Sequence, residues 1–188
     1  MLVYQFIPAC WIALILIWLF ASFGVKKTVR QENPLSRLGN TVPIGIGAFL
    51  LAAHRSWLGP LNILIFPHSL NVYYVGAVLT FVGVTFAIWA RFHIGRNWSG
   101  VITVKQDHAL IRSGPYALVR HPIYSGLTLA IIGSAIARGD IAAVLAIIAI
   151  LYAFLRRVQI EESWMSETFG SAYADYKART PALVPFIK

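Results

Sequence analysis

Residues 3–25 read VYQFIPACWIALILIWLFASFGV, an apolar run without a single charge. A helical membrane crossing takes about 20 mostly apolar residues. Lys26, Lys27 and Arg30 follow at once. A cleaved signal peptide carries its positive charge ahead of the apolar stretch, and nothing basic precedes this one, so it reads as a retained first helix.

Further runs of the same kind follow. Residues 41–53 read TVPIGIGAFLLAA and extend to Trp57 if His54 and Arg55 lie near an interface. Residues 71–90, 122–137 and 141–155 read NVYYVGAVLTFVGVTFAIWA, PIYSGLTLAIIGSAIA and IAAVLAIIAILYAFL. Arg138-Gly139-Asp140 leaves room only for a tight hairpin between the last two. Residues 60–71, with Pro60 and Pro67, read as a partly buried connection. The expected fold is an all-α integral membrane protein in one domain, 1–188, with about five transmembrane helices at 3–25, 41–57, 71–90, 122–137 and 141–155. Beyond them, 156–178 reads as an amphipathic helix, with Met165, Phe169, Tyr173 and Tyr176 at spacings of three or four. Val101–Lys105 alternates briefly, as a short extended segment does.

Composition agrees. Of 188 residues, 58% are hydrophobic and 12% charged, against about 45–50% and 25% in soluble domains. Disorder, a coiled coil and an ordinary soluble enzyme are thereby excluded. The single cysteine, Cys10, permits no internal disulfide and no cysteine-based metal site. The spacing of the five histidines fits no metal site either, and His54, His68 and His93 take structural readings.

The net charge of +9 in a soluble chain would suggest nucleic acid. Here the basic residues are placed by topology. The segments 26–40, 91–121 and 156–188 hold fourteen of the sixteen Lys and Arg residues, and only Arg55 and Arg138 lie in the alternate loops. That bias predicts an outside N-terminus and a cytoplasmic C-terminus, and the partner it implies is the lipid bilayer rather than a nucleic acid.

Ionisable residues crowd into two stretches, 91–124 and 156–176, both next to the same ends of apolar helices. Costly groups kept near membrane depth are candidates for function. In HALIRSGPYALVRHPIYSG (108–126), Gly114-Pro115 forces a turn, and Pro122 suits the first turn of the next helix. Arg120 and His121 therefore sit at a helix start, where free backbone N–H groups favour an anion. Tyr124 lies one turn in. Two readings of this corner stand: a ligand site, or an interfacial belt in which Arg120 snorkels, Tyr116 and Tyr124 anchor, and His121 caps the helix. In the second stretch Arg157 and Glu161 share a helix face; an exposed pair so spaced is worth only about 0.3–0.5 kcal/mol, but this one directly follows a span. Gly45-Ile46-Gly47 lacks the strand–turn–helix context of a nucleotide loop and reads as helix packing.

The RHPIYSG motif, preceded by HALIRSGPY and followed by RRVQIEESWMSETFGSAYADYKARTPALVPFIK, resembles the isoprenylcysteine carboxyl methyltransferase family over the C-terminal half of the chain. The resemblance implies an integral membrane enzyme using S-adenosyl-L-methionine, with a cofactor-binding loop and the active site on the cytoplasmic side. It implies cofactor contacts at His108, Ala109, Leu110 and Ile111, then at Tyr116, His121, Pro122, Ile123 and Tyr124, and at Glu161. It implies a substrate-side, catalytic arginine at Arg157, with Arg120 and Glu162 as neighbours. The acceptor it implies is lipophilic, a prenylated cysteine carboxylate. An ionised carboxylate needs no general base, and a planar arginine can hold one oxygen while the other attacks. Three other readings remain open here: a phospholipid amino-group methyltransferase, which would need a base such as Glu162; an NADPH-dependent sterol-type reductase; and a non-catalytic small membrane protein.

Overall fold

The structure, a computed structural model, describes residues 2–22, 28–100, 102–105 and 109–187. Its elements in chain order are α1 (Phe6–Phe20), β1 (Thr28–Gln31), α2 (Pro34–Ala52), α3 (Leu70–Ile94), β2 (Thr103–Lys105), α4 (Pro115–Leu118), α5 (Pro122–Arg138), α6 (Ile141–Phe169) and α7 (Ser171–Arg179), with short 3-10 turns between some of them. Four helical spans, Val3–Phe20, Pro34–Ala52, Leu70–Asn97 and Ile141–Phe169, are long and apolar enough to cross a membrane. The fifth apolar helix, α5, has 17 residues. At 1.5 Å per residue it is about 25 Å long, slightly short of a hydrocarbon core.

Small residues bring α3 and α5 together. A Cβ on Gly76 or Gly83 would run into the carbonyl oxygens of Gly133 or Gly126, and one on Gly133 would meet the Gly76 carbonyl oxygen at 2.5 Å. Each pair of glycines is seven residues apart, so two contacts in register fix the helices antiparallel, backbone against backbone. Lipid tails are as apolar as leucine and give no hydrophobic drive between helices, so close approach of this kind supplies the association. On the opposite side α2 packs antiparallel on α6, with Gly47 against Ile150 and the Ala146 carbonyl, as the helix-packing reading of 45–47 expects; Gly45 faces open space. α1 lies parallel to α3: the Tyr73 hydroxyl donates to the Val3 carbonyl at 2.7 Å, and Arg91 donates to the Ala21 carbonyl at the other end.

These directions gather the start of α2, the end of α3, the start of α5 and the far half of α6 at one end of the bundle. Arg30, Arg37, Arg91, Arg96, Arg120, Arg156, Arg157 and Lys177 all lie there, and Arg55 and Arg138 lie at the opposite end. Arg138, Arg55 and the fully buried Asp140 form an ion cluster at that end, where Asp140 also caps α6. At the basic end β1 pairs antiparallel with β2, so the short extended reading of 101–105 is met at 103–105.

Several boundaries differ from those read in the sequence. α2 runs 34–52 rather than 41–57, because Asn33 accepts from the Leu35 N–H and Pro34 takes a first-turn position, while a 3-10 turn at Arg55–Trp57 replaces the expected end. The separate tail helix at 156–178 is not formed. α6 continues without a break through Leu155 to Phe169, since a change from apolar to charged residues does not interrupt backbone hydrogen bonding. The break comes at Gly170, whose φ of 51° disfavours any residue with a Cβ. The stripe of Met165, Phe169, Tyr173 and Tyr176 is thus split between α6 and α7.

Candidate active site

The start of α5 and the far half of α6 converge on one polar corner. The loop 119–121 is fixed by the chain's C-terminal segment: the Arg120 N–H donates to the Pro181 carbonyl at 2.8 Å and the His121 N–H to the Ala182 carbonyl at 3.0 Å. The Ser125 hydroxyl donates to the Leu183 carbonyl at 2.5 Å, and the Tyr176 hydroxyl to the Tyr116 carbonyl at 2.6 Å. Backbone groups that a proline-broken helix start would leave open are therefore satisfied. Gly114 turns the chain into α4 at φ 57°, and a Cβ there would meet the His93 ring at 2.6 Å. His93 itself contacts the Ser113 hydroxyl at 2.9 Å and stacks on Tyr116.

Two carboxylates anchor this corner, and they do different work. Glu162 is 8% exposed and saturated: Arg120 reaches its Oε1 through Nε at 2.8 Å, His121 Nε2 lies at 3.3 Å, and Lys177 Nζ meets Oε2 at 2.8 Å. Glu161 points the other way. Its Oε1 accepts from the Tyr124 hydroxyl at 2.5 Å, and its Oε2 lies 3.5 Å from His121 Nδ1. Arg157 donates through Nε to the Tyr124 hydroxyl at 2.8 Å and through a terminal nitrogen to the Gly100 carbonyl at 3.3 Å. Tyr124 is sandwiched between the His121 and Phe154 rings at 5.9 and 5.0 Å.

Burial works against charge on the His121 imidazole, but a carboxylate beside each ring nitrogen outweighs it, and its pKa stands above 6.5. Burial lifts the Tyr116 phenol well above its ordinary value, with the Glu161 charge adding to it, and lifts that of Tyr176 to about 12. Both phenols remain neutral donors across the physiological range.

A cavity of about 1150 Å³ opens from this corner. Its charged end is lined by Arg120, His121, Arg157 and Glu161, with Tyr116, Tyr124, Tyr173 and Tyr176 as aromatic walls. Ala109, Leu110 and Ile111 form one side, and Pro122 and Ile123 another. The other limb is apolar and runs between α1 and α2, past Ile44, Leu51 and Trp11, with Leu127, Ile131, Ile150 and Phe154 behind it. α1 packs on α3 and α2 on α6, so the two walls belong to different helix pairs.

The sequence-derived site residues are thus brought together, with two qualifications. Glu162 does not line the cavity; it holds Arg120, His121 and Lys177 from behind. His108 lies outside the described residues. Sequence reasoning missed Trp98, Ser99 and Gly100, which line the cavity after α3. Arg91 stacks 4.2 Å over the Trp98 ring and Trp18 meets that ring edge-on. A tryptophan and two small residues just past a span were the available signal. Trp11 and Ile44 were missed too, within uniformly apolar runs that mark no face.

Residues 71–172 match the family model described as phospholipid methyltransferase. The chain is similar to the protein-S-isoprenylcysteine O-methyltransferase of Schizosaccharomyces pombe, 29% identical over 77% of this chain and 65% of that protein. It is similar to the protein of the same name from Saccharomyces cerevisiae, 28% identical over 84% of this chain and 72% of that one. The Rattus norvegicus protein of that name is 30% identical over 84% of this chain and 61% of its own length. The match therefore takes in less than two thirds of the fission yeast and rat proteins. A solved structure titled as the eukaryotic intramembrane Ras methyltransferase, isoprenylcysteine carboxyl methyltransferase, shares the fold at a TM-score of 0.55 and 24% identity, over 85% of this chain and 55% of that one.

Proposed function

Because the chain belongs to the phospholipid methyltransferase family, we propose that it is a membrane enzyme that moves a methyl group from S-adenosyl-L-methionine to the carboxylate of a lipophilic acceptor, a prenylated cysteine. One observation carries this reading: a single cavity joins a charged corner to an apolar limb within the helix bundle. A charged cofactor at the corner, beside an acceptor with a charged head and a lipid tail, fills both. The names of the similar proteins point to the same acceptor class.

The donor set at the charged end suits S-adenosyl-L-methionine. Glu161 offers a carboxylate to its ammonium, the Tyr116 ring gives a flat face to a purine or a sulfonium, the Tyr124 hydroxyl orients Glu161, and the segment 109–111 closes one side. When bound, this cofactor supplies an activated methyl group on a positive sulfur. The protein's own part is alignment and dryness. Arg157, held at Nε by Tyr124 and at one terminal nitrogen by Gly100, with Glu161 3.8 Å away, lines the cavity, where its guanidinium would meet a carboxylate. A carboxylate is ionised at neutral pH, so no proton has to leave.

An amine acceptor fits less well. It would approach the Arg157 and Arg120 cations, and its proton would need a base. Glu162 is occupied by three cationic partners and does not line the cavity. The gathering of basic residues at the site's end supports a cytoplasmic active site with the N-terminus outside.

The test is transfer of labelled methyl from S-adenosyl-L-methionine, by the full chain in lipid nanodiscs, to a panel of prenylcysteines, phosphatidylethanolamine and small thiols. A base-labile methyl ester on prenylcysteine is expected. Label appearing only in phosphatidylethanolamine, or in nothing, overturns the proposal.

A further inference from the structure

The C-terminal segment that fixes the loop 119–121 continues past it. Its carbonyls are taken in order. Thr180 accepts from the Arg120 guanidinium, Pro181 from the Arg120 N–H at 2.8 Å, Ala182 from the His121 N–H at 3.0 Å, and Leu183 from the Ser125 hydroxyl at 2.5 Å. The partners advance from 120 to 125, so the segment runs with α5 past the start of that apolar helix. Beyond Leu183 it makes one turn, in which the Ile187 N–H donates to the Val184 carbonyl at 3.2 Å. The turn presents its side chains outward. Val184 and Ile187 are exposed, and Phe186 is 99% exposed at a φ of 68°, a conformation that a bulky side chain disfavours.

Residues 181–187 read PALVPFI, without a charged or hydrogen-bonding side chain, and Arg179 precedes them as Lys188 follows. An apolar turn between basic residues, beside the first turn of a membrane helix, matches the layering of a bilayer surface. Cations sit at the phosphates there, and apolar side chains lie just beneath. Water would leave three large apolar side chains uncovered, and a backbone of this kind persists only where its surroundings hold it. We propose that Val184, Phe186 and Ile187 form a lipid anchor, seated at the headgroup–acyl boundary of the leaflet beside the charged corner, and that this anchor holds 181–183 against the loop 119–121. The partner is the bilayer surface, and the site loop is braced from it. Seating of the turn in lipid and ordering of Arg120 and His121 are then linked equilibria, and such links are typically worth about 5- to 150-fold. The anchor and the brace stand on this geometry; only their effect on S-adenosyl-L-methionine rests on the donor proposed above.

The experiment reads the anchor and the brace separately, on the full chain in nanodiscs. A fluorescent NBD label is placed on Phe186→Cys in a Cys10→Ala background. Lipids brominated near the headgroup end of their acyl chains are expected to quench it, and aqueous iodide is not. The same label on Asp175→Cys, an exposed position of α7, is expected to show the reverse. Hydrogen exchange of the peptide holding 119–121 reads the brace without any ligand. Val184→Ser, Phe186→Ser and Ile187→Ser together are expected to speed that exchange about tenfold and to weaken S-adenosyl-L-methionine by a similar factor, whereas Phe186→Trp alone matches wild type. Quenching at 186 by iodide, or by neither agent because a second copy of the chain covers the turn, overturns the lipid partner. Unchanged exchange in the triple variant overturns the brace. Lipid quenching and faster exchange in a protein that binds no S-adenosyl-L-methionine leave anchor and brace standing and remove the proposed donor.

Discussion

His121 Nδ1 lies 3.5 Å from Glu161 Oε2, joining the first residue ahead of α5 to the far half of α6 across forty positions of chain. The same imidazole touches Glu162 through its other nitrogen at 3.3 Å. One ring thus ties a carboxylate that faces the cavity to a carboxylate that faces away. The contact fixes which of two adjacent glutamates meets a ligand.

Glu161 and Arg157 should therefore fail differently when removed. Glu161→Ala takes away the cofactor-side carboxylate, and a hydrogen bond to a charged group is worth about 1.5–3 kcal/mol. Affinity for S-adenosyl-L-methionine should fall about 10- to 100-fold by calorimetric titration. Arg157→Ala should leave that affinity within a few-fold and abolish turnover on a prenylcysteine, because its guanidinium serves the acceptor. Equal losses of cofactor affinity in both variants would defeat this division of labour. In wild type, binding of NADPH in place of S-adenosyl-L-methionine would defeat the donor itself.

The His121 contacts also carry a pH dependence with a definite sign. Its folded pKa stands above the ordinary 6.5, so the folded state holds the proton more tightly than the unfolded chain. The stabilisation is complete below pH 6.5 and is lost as pH climbs through the raised value. Thermal melting of wild type should weaken from pH 6.5 upward through the neutral range, and His121→Gln should flatten that slope. A variant with the wild-type slope would mean that the carboxylates do not sense this ring.

Backbone contact between α3 and α5 predicts a contrast between glycines. Gly133→Ala places a methyl 2.5 Å from the Gly76 carbonyl oxygen, and overpacking of this kind costs about 1–3 kcal/mol. Gly45→Ala, in a helix with open space around it, should be neutral or gain about 0.5–1 kcal/mol. Denaturation in mixed detergent micelles reads both. Equal stability of the two variants would mean that α3 and α5 sit further apart than described.

Much of this was legible in the chain because the bilayer imposes length and polarity on every helix. The cores of the apolar runs are helical, though α2 begins seven residues before its expected start and α6 runs on to Phe169, and the described arginines of the basic segments lie at one end. His121 and Tyr124, and Arg157 and Glu161, stood out as two separate polar stretches beside apolar spans, and only the resemblance to a known family joined them into one site. The walls of the cavity were not legible. Trp11 and Ile44 sit in runs that are apolar on every side, so nothing in composition separates a residue facing lipid from one facing a cavity. The continuity of α6 was hidden because the charge at Arg156 looks like an end, while the residue that stops the helix is Gly170. The partner of Arg156 was hidden as well, since Glu32 lies more than a hundred residues away in an unremarkable polar stretch.

That partnership supports the last prediction. The Arg156 guanidinium meets Asn40 Oδ1 and the Ser36 hydroxyl at 2.7 Å each, and Glu32 Oε1 at 3.4 Å. Glu32 is 5% exposed and also accepts from Ser36 and Asn40. Its N–H donates to the Ile102 carbonyl at 3.0 Å, so the same node ties α2 and α6 to the segment that carries Gly100 and, beyond it, Ala109. Removing one member leaves the others partly unpaired in a confined site, whereas removing both relieves the mismatch. Glu32→Gln and Arg156→Met should each destabilise the protein, and the double variant should lose less than the two losses added, with a coupling of about 0.5–3 kcal/mol. The single variants should also raise KM for S-adenosyl-L-methionine more than they lower kcat, because the Glu32–Ile102 tie loosens while Arg157 keeps its Tyr124 contact. Additive stabilities with unchanged KM would show that Arg156 and Glu32 merely sit side by side at the membrane surface.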